Sequence, residues 1–231
     1  MGLIAIGDVH GCPDSLDALL DRLAPDPDAD HLVFVGDYID RGPDSKGVID
    51  RLLALQENGP ACTFLRGNHE ALMLDYLAGG EGQPAADATH ALRLWQQNGG
   101  GATLRSYASS GGTTVQFPEA HVAFVRETEL YHETPDFFFV HAGLDPERTV
   151  RENVEADDER TFLWERGHFE APEPTWEKPV VCGHTPQPEP IDREKLIAID
   201  TGCVYHRRAG LGRLTAVHLP EREFVSVEYQ G

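Results

Sequence analysis

Leu32-Val33-Phe34-Val35-Gly36-Asp37-Tyr38-Ile39-Asp40-Arg41-Gly42 is the stretch on which the reading of this chain turns. Its first four residues are apolar and mostly β-branched or aromatic, the pattern of a strand buried on both faces. A glycine then leads into two acids and an arginine, so charged groups are delivered just past the strand's carboxyl end. The arrangement recurs along the chain. Leu3-Ile4-Ala5-Ile6 runs into Gly7-Asp8-Val9-His10-Gly11, and Cys62-Thr63-Phe64-Leu65 into Arg66-Gly67-Asn68-His69-Glu70. Phe137-Phe138-Phe139-Val140 runs into His141-Ala142-Gly143, and Pro179-Val180-Val181-Cys182 into Gly183-His184-Thr185. Open α/β sheets collect their ligands beyond the carboxyl ends of strands. Distant segments are therefore expected to meet at one sheet edge.

Between these strands the pattern is helical. A helix is predicted from Pro13 to Leu23, with proline at an early position and Leu16, Leu19, Leu20 and Leu23 on one face. Ser45 reads as the cap of a second helix carrying Val48, Ile49, Leu52, Leu53 and Leu55, stopped by Asn58-Gly59-Pro60. A third is expected near residues 70–78. This rhythm implies parallel pairing of strands 2–6, 31–35 and 61–65 through right-handed crossovers. The segment 83–130 reads as a helical cap beside the site: a helix around Ala88–Gln97, a break at Asn98-Gly99-Gly100-Gly101, a short helix around Ala102–Tyr107 and another after Pro118. From Tyr131 onward strands dominate, at 137–140, 179–182, 196–199, 213–219 and 223–229, with an acidic helical stretch near 157–164. The last two strands alternate as an antiparallel hairpin would. The expectation is one α/β domain over 1–231.

Composition limits the setting. The chain has 231 residues, 40% apolar and 25% charged, enough for a core of its own. No apolar run approaches the ~20 residues of a membrane span, and no leader precedes the first strand. Four cysteines without a Cys-x-x-Cys pair suit a reduced, cytoplasmic protein. The net charge of −20 reads as a solvated acidic surface that would repel nucleic acid. No nucleic-acid or membrane partner is expected, and the sequence leaves oligomeric state open.

The strand-end groups are Asp8, His10, Asp37, Asn68, His141 and His184, an oxygen and imidazole set suited to two divalent ions. Asp8 and His10 alone would read as a capping pair. Together with the other motifs they read as ligands, with Asp37 as the bridge. Asp26, Asp28 and Asp30 mimic the start of a calcium loop, but His31 stands where glycine is needed. Cys12 reads as a small core residue. His31, His90, His121, His132, His168 and His218 lie outside any motif and read as surface or packing residues.

The motifs resemble those of the phosphoprotein phosphatase branch of the calcineurin-like metallophosphoesterases: Gly-Asp-x-His-Gly, Gly-Asp-x-x-Asp-Arg-Gly, Gly-Asn-His-Glu and two later histidines, in order over roughly residues 1–219. The resemblance implies a two-sheet β-sandwich of mixed strands flanked by helices. It implies two divalent ions, manganese or an iron–zinc type pair. Asp8, His10 and Asp37 would hold one, and Asp37, Asn68, His141 and His184 the other. It implies His69 as general acid oriented by Asp40, with Arg41 and Arg66 on the phosphate and, after Leu163-Trp164-Glu165, Arg166 as a third arginine. Hydrolysis would then be a single attack by metal-activated water, without a phosphoenzyme. Trp95-Gln96-Gln97-Asn98-Gly99-Gly100 and Asp200-Thr201-Gly202-Cys203 resemble segments of small bacterial and phage protein phosphatases. The expected activity is thus a serine/threonine protein phosphatase, its substrate a phosphoprotein or phosphorylated small molecule. Symmetrical bis(5'-nucleosyl)-tetraphosphatases share the motifs and are the alternative. His206-Arg207-Arg208 reads as a segment away from the substrate, with a place beside it as the less favoured alternative.

Overall fold

In β1 (Gly2–Ile6) the side chains of Ile4 and Ile6 belong to one apolar cluster and Ala5 to another, and all three are buried. The computed structural model, which describes residues 2–79, 85–109, 112, 114–171 and 173–231, repeats this division in most of the central strands. Alternation with both faces apolar dictates layers on both sides of a sheet.

The first sheet runs β10-β9-β1-β2-β3, where β2 is Asp30–Phe34, β3 Ala61–Phe64, β9 Arg213–Leu219 and β10 Glu223–Glu228. β1, β2 and β3 are parallel, as their helical crossovers require; β9 and β10 form the antiparallel hairpin. The second sheet runs β4-β5-β6-β8-β7, with β4 Tyr131–Glu133, β5 Phe138–Val140, β6 Val180–Cys182, β7 Ile191–Asp192 and β8 Leu196–Ala198. It is mixed as well: β5, β6 and β8 are parallel, and the two edge strands antiparallel.

Ala5, Val33, Val35 and Val217 meet Phe137, Phe139, Val181, Ile197 and Ile199 between the sheets. The other face of the first sheet, with Ile4, Ile6, Leu32 and Phe34, packs on Leu16 and Leu19 of α1 (Pro13–Leu23) and Val48, Ile49 and Leu52 of α2 (Ser45–Asn58). The outer face of the second, with Phe138, Val140, Val180 and Cys182, packs on Val150, Phe162 and Trp176. Each fully buried side chain of this size contributes about 1.5–3 kcal/mol of transfer free energy. The architecture is two mixed sheets flanked by helices.

α3 spans Asn68–Gly79, and α4 (Ala85–Gln97), α5 (Gly100–Ser106) and α6 (Glu119–Glu127) fill the segment expected to form a cap. Trp95, Phe124 and Val125 join the same cluster as α1 and α2, so these helices extend that core. Residues 83 and 84, at the start of the expected cap, lie outside the described residues.

One local expectation is corrected, and three elements are new. Asp44, not Ser45, caps α2, its carboxylate accepting from the Gly47 N–H; Ser45 is fully buried and its hydroxyl turns inward. The acidic helical stretch expected near 157–164 is present as α8 (Glu159–Trp164), capped by Asp158; α7 (Val150–Ala156), opened by the Thr149–Glu152 capping box, precedes it and has no counterpart in the sequence reading. β4 and β7 are two or three residues long, too short for periodicity to reveal. No helix among the described residues is long and apolar enough to cross a membrane.

Candidate metal centre

The strand ends converge because the chain turns sharply at each. His10, Asp37, Asp40, Arg41 and His184 have φ of 45, 54, 72, 66 and 65°, in the left-handed region that non-glycine residues avoid. Strain of this kind costs on the order of 1–3 kcal/mol per residue and persists where surrounding contacts enforce it. Gly36, at φ 109°, brings the β2 end against its neighbours. A Cβ there would lie 2.7 Å from the Gly67 nitrogen and 2.9 Å from His141 Nδ1.

One half of the cluster is a set of facing lone pairs. His141 Nδ1 donates to the Val35 carbonyl at 2.9 Å, which leaves Nε2 of the neutral ring as an acceptor. That nitrogen is 3.0 Å from Asn68 Oδ1, 3.1 Å from His184 Nδ1 and 3.5 Å from Asp37 Oδ1. His184 Nδ1 is in turn 2.9 Å from Asn68 Oδ1. Asn68, His141, His184 and Asp37 are all buried. Burial lowers the proton affinity of His141, and burial, then His141, pushes His184 down to about 2. Asn68 Oδ1, Asp37 Oδ1 and His141 Nε2 gather more acceptors than the single ring proton of a neutral His184 can serve, which suits a cation, and neutral imidazoles are the state that binds one. These residues fit a divalent ion.

The other half is looser. His10 Nδ1 donates to Ile39 O at 2.8 Å, so Nε2 faces inward, 3.4 Å from Asp37 Oδ2 and in close contact with Arg41 Nη1. Asp8 is buried, but its oxygens accept from the His184 backbone N–H at 3.0 and 3.2 Å. Burial, Asp200 and then Asp37 push Asp8 well above the ordinary carboxylate range. Burial likewise pushes Asp200 up to about 7. Asp37 goes the other way: burial alone would raise it, but His141, His69, His10 and Arg41 outweigh that and hold it below the usual range. A second cation fits here too, because it would relieve the mutual repulsion of Asp8, Asp37 and Asp200. Asp37 reaches both halves, and its ligand atoms group with His10 and His69 on one side and His141 and His184 on the other.

His69 stands beside the cluster, fully buried, its Nδ1 bound to Asp40 Oδ2 at 2.6 Å. With that proton fixed on Nδ1, Nε2 points at the centre, 3.9 Å from Asp37 Oδ2 and without a hydrogen-bond partner. Of the arginines, Arg41 enters the cluster and lies 5.7 Å from the Tyr205 ring centroid. Arg66 is held by Thr128 Oγ1, the Arg126 and Thr128 carbonyls and Glu159. Arg166 is exposed, yet its charge acts on His184 and Asp200. The His206 ring stacks on Tyr229, while Tyr205 beside it approaches Arg41.

Several residues of the site have no role in the sequence reading. Glu70 accepts backbone N–H bonds from Asp37, Tyr38 and Gly67 at 2.9 Å and from Ile39 at 3.3 Å, pinning the Asp37 turn to α3. Burial, then Asp37, pushes its carboxyl up to about 8. Asp200 follows β8, and the strand-end rule that found the other acids would have found it. Trp95 and Thr103 bind Asp40 from α4 and α5; the Trp95–Gly100 segment stands out by resemblance, with no role attached to it.

The model of the calcineurin-like phosphoesterase family matches residues 1–211. An asymmetrical bis(5'-nucleosyl)-tetraphosphatase, PrpE of Halalkalibacterium halodurans, is 31% identical over 96% of this chain and 92% of its own length. Serine/threonine-protein phosphatase 1 of Salmonella typhimurium is 31% identical over 90% of each chain. A crystal structure described as a candidate diadenosine tetraphosphatase superposes with a TM-score of 0.68 at 24% identity, covering 100% of this chain and 94% of the other.

Proposed function

The chain belongs to the calcineurin-like phosphoesterase family, and from that premise we propose that it hydrolyses phosphate monoesters of alcohols, foremost phosphoserine and phosphothreonine in proteins. Two divalent ions held by Asp8, His10, Asp37, Asn68, His141 and His184 would supply Lewis acidity and activated water; manganese is the ion we propose. The observation that carries the reading is the pairing of this cradle with the His69–Asp40 dyad.

Each protein group has a task. When both ring nitrogens are protonated, His69 donates its Nε2 proton to the departing oxygen, so the product leaves as an alcohol and the ring is left neutral with its proton on Nδ1; an alkoxide is a poor leaving group unless protonated as the bond breaks. Asp40 holds the Nδ1–H and stabilises the imidazolium that serves as the acid. Arg41, inside the cluster, offers a planar fork to the phosphate oxygens. Arg66 and Arg166 are the further guanidiniums we assign to the same phosphate. The four cysteines are free, which suits the cytoplasmic setting we propose.

A second reading is hydrolysis of dinucleoside tetraphosphates, supported by the similarity to PrpE. The dyad belongs to motifs that both classes share; the first reading is preferred for the Trp95–Gly100 and Asp200–Cys203 segments, which resemble those of small protein phosphatases. The test is a phosphoserine peptide assayed beside diadenosine tetraphosphate. Faster release of phosphate from the peptide supports the first reading. Rapid nucleotide release with an inert peptide overturns it, and the products, two ADP or ATP with AMP, then separate symmetrical from asymmetrical cleavage.

A further inference from the structure

Asp40 receives more than His69. Its Oδ2 also accepts from Trp95 Nε1 at 2.8 Å, and its Oδ1 accepts from Thr103 Oγ1 at 2.6 Å. The Asp40 backbone N–H lies 3.0 Å from both Thr103 Oγ1 and Ser45 Oγ, and those hydroxyls are 2.8 Å apart. Asp40, His69, Trp95, Thr103 and Ser45 are all fully buried. The corner joining α4 to α5 also touches the backbone beside the dyad: Gly99 O accepts from the Arg41 N–H at 3.3 Å. At φ 112° Gly99 sits so close that a Cβ would meet Arg41 Cγ at 2.7 Å.

A carboxylate bound only by His69 is free to turn about its own axis and carry the imidazole with it. Donors arriving on both oxygens, from α3, α4 and α5, fix the carboxylate plane. The plane fixes the direction of the Nδ1–H bond, and through it the line along which Nε2 points. We propose that Trp95 and Thr103 are positioning residues for the acid: from the α4–α5 corner they orient Asp40 and thereby hold His69 Nε2 on the leaving oxygen. The proposal rests on the reading of His69 as general acid.

The test is a series of esters whose leaving groups differ in basicity: 4-nitrophenyl phosphate, phenyl phosphate and a phosphoserine peptide. A nitrophenolate departs unaided, whereas a serine alkoxide needs the proton. Thr103→Val removes the hydroxyl at nearly constant volume; Thr103→Ser keeps it. Trp95→Phe removes the indole N–H. Thr103→Val and Trp95→Phe should each lower kcat by about tenfold on the phosphoserine peptide, with KM unchanged, and by less than about twofold on 4-nitrophenyl phosphate. Thr103→Ser should restore kcat, and metal content and melting temperature should be those of the parent for the Thr103 pair. Equal losses on all esters, or Thr103→Ser as slow as Thr103→Val, would overturn the proposal. His69→Asn in the same series separates the two ideas. A steep dependence for His69→Asn with flat behaviour of Thr103→Val and Trp95→Phe removes only the positioning role. A flat His69→Asn removes the acid reading and this proposal with it.

Discussion

The two halves of the cluster are built differently. Around His141 the acceptors of Asn68, His184 and Asp37 already face one another at 2.9–3.5 Å. Around His10 the second carboxylate, Asp8, is engaged by the His184 backbone N–H, and Arg41 occupies the imidazole's open side. The first half is set for a cation; the second must exchange contacts to receive one. The lesson is that a shared ligand need not make two equal sites. Asp37 lies within 3.5 Å of both His10 and His141, and on the proposed reading the cost of gathering the remaining ligands falls on one side.

Asp37→Asn strikes both halves and should have the largest effect. The protein should lose bound metal and at least about 10³-fold in kcat/KM, because charge neutralisation at both ions goes with it. Elemental analysis beside the assay checks this, and a variant that keeps its metal would show that Asp37 is no bridge. His69→Asn touches neither half. It should lower kcat by about 10² or more while the metal stays; loss of metal instead would make His69 a ligand. Asp8→Asn addresses the looser half alone. It should weaken one ion by more than the about 10- to 100-fold that losing an outer-sphere partner of a ligand costs, and leave the other in place. If both ions weaken equally, the asymmetry fails. Glu70→Gln removes the floor common to both halves by setting an amide N–H2 against backbone donors. It should lower stability by about 1.5–3 kcal/mol, read from denaturant melts, and unchanged stability would deny Glu70 its role beneath the Asp37 turn.

Much of this was legible in the sequence because strands and motifs share a boundary. Each apolar run ends where its polar cluster begins, so the rule that ligands gather at carboxyl ends of strands named Asp8, Asp37, Asn68, His141 and His184 as neighbours. The left-handed backbone at His10, Asp37 and His184, which turns those side chains inward, was hidden: nothing in an aspartate or histidine announces positive φ. Ser45 shows a different limit. A serine before a helix looks like a cap, but Asp44 takes that task and Ser45 turns toward Asp40, a preference set by burial and not by local pattern. Trp95 and Thr103 lie at least 55 residues from the acid they bind. Such contacts are set by how α4 and α5 pack, and local periodicity carries no trace of them.

The most direct measurement is a manganese titration of metal-depleted protein by calorimetry, with stoichiometry read alongside the affinities. The account predicts two ions bound in two steps, the tighter at the His141 half. A single ion at saturation, or none, would contradict it.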